Sequence, residues 1–105
     1  MSILERLAET IAARRDADPA SSHTAALLAK GPGKCAEKFG EEAVEAIVAA
    51  ASADRDNLRD EAADVLYHLL VLLAASDVTL ADVLAELERR EGTSGITEKA
   101  RRPST

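Results

Sequence analysis

The chain has no tryptophan, and Phe39 and Tyr67 are its only aromatic residues among 105. Hydrophobic residues still make up 47%, enough for a core, but alanine and leucine have to fill it. Both are strong helix formers. Proline occurs only as Pro19, Pro32 and Pro103, outside the apolar runs. An all-α fold is therefore the economical reading. Cys35 is the only cysteine, which excludes an intrachain disulfide and suits a reducing cytoplasm. Positive charge is also scarce: 13 Lys and Arg face 19 Asp and Glu, for a net charge of -6. That balance argues against a nucleic-acid binder, which carries a basic patch. The longest apolar stretch, Val65 to Ala75 apart from His68, falls short of the roughly 20 helical residues a bilayer demands. The N-terminal Met1-Ser2-Ile3-Leu4-Glu5-Arg6 has no signal-peptide pattern, and no internal repeat or low-complexity segment is evident.

What is present is helical patterning. Ser2 and Glu5 form a capping box ahead of Ile3, Leu4, Leu7 and Ile11, predicting a helix from Ile3 to Arg15. Asp16 to Ser22 reads as a loop, Thr24 to Lys30 as a short helix, and Gly31-Pro32-Gly33 as a break. A long helix is expected from Lys34 to Ala53, with Ala36, Phe39, Ala43, Ile47 and Ala50 as its apolar stripe. Asp54-Arg55-Asp56-Asn57 then forms a short connection, with Asn57 capping the next helix, Leu58 to Ala75. So short a loop makes the two long helices an antiparallel hairpin. Past its first turn the second of them is apolar almost all round. A chain this small can hardly bury that whole circumference, so a homodimer is expected to complete the helix bundle. Thr79 caps a last helix, Leu80 to Arg90, stopped at Gly92. The organisation is one domain, residues 1–92, and a tail, residues 93–105.

Two carboxylate pairs stand out. Glu42 with Glu45 and Glu61 with Asp64 are each three residues apart, so each pair shares one helix face. Glu45 lies nine residues before a turn centred near residue 54, and Glu61 and Asp64 lie seven and ten after it. The hairpin thus sets the pairs at similar depth. Four acids on apolar helices repel one another and lose hydration as they converge. A hard divalent cation removes both penalties, and Mg²⁺ takes oxygen ligands and suits phosphate substrates. A bound metal also reconciles an acidic protein with an anionic substrate. The arrangement suggests a metal-assisted phosphate enzyme; the bland alternative is a solvated charged face.

Other candidates are weaker by spacing alone. His68 lies one turn beyond Asp64, where it can orient a carboxylate or a water, or simply be a core histidine. Tyr67 reads as core or interface with its hydroxyl at the rim. Lys34 and Lys38 precede the first pair on its face, as phosphate contacts or as ordinary partners of nearby glutamates. The Gly31-Pro32-Gly33 segment lacks the Lys-Ser/Thr end of a P-loop, so it reads as a plain helix break. Arg101 and Arg102 either close over a phosphate or belong to a disordered terminus. Cys35 has no histidine near it in sequence and no reason to be nucleophilic.

Gly40-Glu41-Glu42-Ala43-Val44-Glu45 followed by Glu61-Ala62-Ala63-Asp64 resembles the E-E-x-x-E … E-x-x-D signature of the all-α NTP pyrophosphohydrolase (MazG-like) superfamily. Lys38 to Ala43, Glu61 to Leu73 (through Tyr67-His68-Leu69) and Ser94 to Ala100 look more narrowly like the phosphoribosyl-ATP pyrophosphohydrolases of histidine biosynthesis. The resemblance covers nearly the whole chain. It departs at Ser22-His23-Thr24-Ala25-Ala26, where the family usually has Ser-Tyr-Thr and then a lysine. It implies Mg²⁺-dependent hydrolysis of phosphoribosyl-ATP to phosphoribosyl-AMP and pyrophosphate by a homodimer of helical hairpins, with the site near the subunit interface. It also implies Glu42, Glu45, Glu61 and Asp64 as metal ligands and Glu41 in a neighbouring role, outer-shell contact or activation of water. Association with a phosphoribosyl-AMP cyclohydrolase, the next activity in that pathway, is compatible with it. Two other readings stay open: a housecleaning nucleotide pyrophosphohydrolase of the same superfamily, and a non-enzymatic helical dimerisation module.

Overall fold

The computed structural model describes residues 1–92, and those residues form five α-helices and no strand. Helix α1 spans Ile3–Ala13, α2 His23–Ala29, α3 Pro32–Ala51, α4 Arg55–Ala75 and α5 Leu80–Arg90. The capping box at Ser2 and Glu5 is present, with each side chain bonded to the other's backbone N–H. Thr79 caps α5 through the N–H of Asp82. No single helix among the described residues is long and apolar enough to cross a membrane.

Several boundaries differ from the sequence expectation for local reasons. Helix α1 ends at Ala13 rather than Arg15. The break before α3 lies at Gly31 alone, whose φ of 88° falls in the left-handed region. Pro32 then occupies the first helical turn, where its missing N–H costs nothing. Helix α3 stops at Ala51 instead of Ala53, because Ala53 takes a left-handed φ of 56°. The N–H groups of Ala53 and Asp54 turn back to the carbonyls of Ala50 and Ala49, a Schellman closure. Asp54, not Asn57, caps α4, accepting from the Asn57 N–H at 3.1 Å, so α4 starts a turn early at Arg55.

The α3–α4 hairpin is the body of the fold, with α1 and α2 laid against α4 and α2 also touching α3. Ile11, Leu27, Cys35, Leu70 and Val71 form its core, and Leu4, Leu7, Leu28, Tyr67 and Leu73 pack around them. Burial raises the proton affinity of the Cys35 thiol, which donates to the Leu27 carbonyl at 3.2 Å and stays inert. Arg15 reaches the left-handed Asp77 at 2.7 Å, tying the end of α1 to the end of α4. Helix α5 then leaves at 110° to α4 and buries none of its residues.

The apolar stripe predicted for α3 is not its buried face. Cys35, Glu42 and Ala49 are buried, whereas Ala36, Ile47 and Ala50 are exposed. Alanine sits on the exposed stripe (Ala36, Ala50) and on the buried line (Ala49) alike, so it does not tell one from the other. The buried line instead passes through an acid. Val44, Ile47 and Val48 are left facing solvent on α3, at 58%, 65% and 58% exposure, with Leu66 of α4 also exposed.

Candidate metal centre

The hairpin brings acids from its two arms together. One carboxylate oxygen from each of Glu42, Glu45 and Glu61 lies within 4.8 Å of the others. Glu42 is buried at 9% exposure, Glu61 is half-buried and Glu45 opens to solvent. Spacing accounts for the arrangement. Glu42 and Glu45 share a face of α3, and the short Ser52-Ala53-Asp54 link sets Glu61 across from them. Asp64, one turn beyond Glu61, is exposed and does not join the three-glutamate cluster.

Electrostatics show how the metal-free cluster tolerates its own charge. Hydrogen bonds with Glu42 and then Glu61, together with the negative charge of both, hold the Glu45 carboxyl above its ordinary range. Burial alone would push Glu42 the same way. The hydrogen bond with Glu45, and the hydrogen bond and charge of Lys38, outweigh burial and hold Glu42 below that range. Lys38 Nζ stands 3.3 Å from Glu42 Oε1 and 3.6 Å from Glu41 Oε2. Glu45 thus holds its proton more tightly because two neighbouring carboxylates crowd it.

Glu61 Oε2 is buried and has no hydrogen-bond partner among the described residues. An unpaired buried carboxylate oxygen is costly. Here it lies in a glutamate set with another acid within a turn. All the donors are hard oxygens, the set a hard divalent cation takes. The residues therefore fit a metal, and the orphaned oxygen is the observation that says so.

The remaining sequence candidates divide. Lys38 belongs to the cluster through Glu42, but Lys34 pairs with Glu37 at 3.1 Å instead. Glu41 is exposed beside the cluster, with Lys38 as its partner. His68 is buried at 7% exposure, and burial holds its imidazole below the usual range. The charges of Glu42 and Asp64 act the other way on it, while Lys38 and His23 add to the lowering. Arg101 and Arg102 lie outside the described residues. The spacing argument missed Thr24, whose hydroxyl shares a 2.5 Å hydrogen bond with that of Tyr67. No periodicity relates α2 to α4, and Ser22, which the sequence placed in the loop, caps α2 by accepting from the Ala25 N–H.

Residues 4–91 match the family model described as phosphoribosyl-ATP pyrophosphohydrolase. A Cereibacter sphaeroides protein named phosphoribosyl-ATP pyrophosphatase is 74% identical over 102 residues, spanning 97% of this chain and 99% of its own. One of the same name from Dinoroseobacter shibae is 74% identical, over 97% of this chain and all of its own length. A third, from Paracoccus denitrificans, is 73% identical over 94% of this chain and 92% of its own.

Proposed function

The chain belongs to the phosphoribosyl-ATP pyrophosphohydrolase family, and on that premise we propose that it hydrolyses phosphoribosyl-ATP to phosphoribosyl-AMP and pyrophosphate with Mg²⁺. The reaction is the second step of histidine biosynthesis, carried out in the cytoplasm. Water adds at the α-phosphorus, the bond to the bridging oxygen breaks, and pyrophosphate leaves. Such a displacement needs positioning, charge neutralisation and an activated water rather than a covalent nucleophile. The three-glutamate cluster with its orphaned Glu61 oxygen carries this reading.

Glu42, Glu45, Glu61 and Asp64 would hold the ion. Bound there, Mg²⁺ neutralises phosphate charge and lowers the proton affinity of water. Glu41 is exposed, stands outside the cluster and is paired only loosely, at 3.6 Å, with Lys38. It is the acid free to take the proton from the attacking water. Lys38, with 40% of its side chain exposed, presents its ammonium as a point charge to a phosphate oxygen. His68 acts behind the carboxylates, orienting Asp64 or a water. Lys34, Arg101 and Arg102 are further phosphate contacts on this reading. A second copy of the chain covers Val44, Ile47 and Val48 and completes the bundle.

The test is pyrophosphate release from phosphoribosyl-ATP with and without Mg²⁺, beside dCTP, dUTP and ATP. Metal-dependent release from phosphoribosyl-ATP in preference to the others is expected. Preference for a simple nucleotide would replace the reading with a housecleaning activity. Glu41→Gln should lower kcat while leaving Mg²⁺ binding intact, which separates it from the ligands.

A further inference from the structure

Tyr67 and His68 are successive residues of α4, so their side chains leave the helix about 100° apart. Tyr67 points to α2, where its hydroxyl meets that of Thr24 at 2.5 Å. His68 lies within the electrostatic reach of Glu42, Lys38 and Asp64, and of His23 on α2. The two rings meet edge to face, with centroids 4.9 Å apart and planes at 78°. Among the described residues, neither ring nitrogen of His68 takes a hydrogen bond. The Tyr67 ring is the wall on one side of it.

That wall is itself held from α2. A helix of seven residues has little stability of its own and stays where its contacts put it. Ala25 and Leu27 bury one side of it, and Cys35 caps the Leu27 carbonyl from α3. The Thr24–Tyr67 bond joins α2 to α4 by side chains 43 residues apart. Ring packing alone would be served as well by phenylalanine, so the hydroxyl needs another reason to be there.

We propose that the Thr24–Tyr67 hydrogen bond positions His68 for the reaction. Tyr67 and Thr24 are positioning residues: among the described residues their hydroxyls bond to each other and not to the acids, and they act by fixing the ring that His68 rests on. With the bond cut, His68 gains rotamers, and the carboxylates beside it lose a fixed neighbour. The inference rests on the phosphoribosyl-ATP hydrolase reading for its effect on rate, but not for its effect on the histidine.

The experiment uses Tyr67→Phe, Thr24→Val and the double variant, since each single change removes one hydroxyl and keeps the side-chain shape. In steady-state pyrophosphate release, each single variant should lower kcat about tenfold with KM little changed, the cost typical of losing an outer-shell partner. The double variant should be no worse than either single, because all three cut one bond. In parallel, ¹⁵N and ¹H resonances of the His68 ring in metal-free protein should move alike in both singles. Wild-type kcat in either folded single variant overturns the proposal, as do effects that multiply in the double. If the wild-type chain releases no pyrophosphate from phosphoribosyl-ATP, the functional reading fails and the resonances decide. A common shift of the His68 ring then still supports the positioning bond, and unmoved resonances overturn it.

Discussion

Glu61→Gln is the substitution that bears most directly on the metal centre. It keeps the side chain's size and replaces one carboxylate oxygen of a group whose Oε2 is buried without a partner. In metal-free protein the change removes a negative charge from beside Glu42 and Glu45 and supplies an amide N–H to their oxygens. The metal-free melting temperature should therefore equal or exceed that of the wild type. With metal the order reverses. At free Mg²⁺ about 100 times Kd, binding to the folded state alone adds about 2.7 kcal/mol to stability. In a domain of this size that raises Tm by roughly 10–20 °C. Losing a ligand should cost at least the about 100-fold in affinity that the loss of an outer-shell partner can reach. The same Mg²⁺ then stands near Kd and adds only about 0.4 kcal/mol, or roughly 2–3 °C. With no tryptophan and one tyrosine the chain has weak intrinsic fluorescence, so scanning calorimetry or far-UV circular dichroism after chelator treatment is the assay. Equal Mg²⁺ shifts in wild type and variant would refute the argument, because the orphaned oxygen would then owe nothing to a cation.

Three further outcomes are expected. The raised proton affinity of Glu45 means the folded protein holds that proton more tightly than the unfolded chain does. Its contribution is full below the unfolded value of about 4.5 and is lost as pH rises through the folded value, so Glu45→Gln should flatten the fall in metal-free Tm from there toward neutrality. Ala53→Gly should stabilise the protein by about 0.5–1 kcal/mol in urea unfolding, since relief of left-handed strain outweighs the added freedom of the unfolded chain. Val48→Asp changes a side chain already 58% exposed, so each chain should stay folded while sedimentation shows monomers; a persistent dimer would place the interface elsewhere.

The hairpin and the convergence of its acids were legible because both follow from local rules: a short link between two long helical periods, and carboxylates three residues apart. What sequence missed depended on direction. Alanine lies on the buried line and on the exposed stripe alike, so nothing in α3 announced that Glu42, rather than Ile47, is buried. Asp54 and Asn57 are both good caps, and the choice fell to Asp54 once Ala53 took a left-handed turn that its side chain does not advertise. Asp64 matched the spacing rule as well as Glu61 did, and spacing alone did not say that Glu61 is the one whose carboxylate lies within 4.8 Å of Glu42 and Glu45. The Thr24–Tyr67 bond joins segments with no shared periodicity, and contacts of that kind appear only in three dimensions.

The tight closure at Ala53 also bears on how the protein comes to be active. Because the clustered glutamates flank one brief reversal of the chain, bringing them together costs little loop entropy. A nascent polypeptide can assemble this half of its machinery as soon as α4 has emerged, before α5 follows it out, and topologies so rich in near neighbours fold fast. Chemistry and rapid maturation thus draw on the same bend.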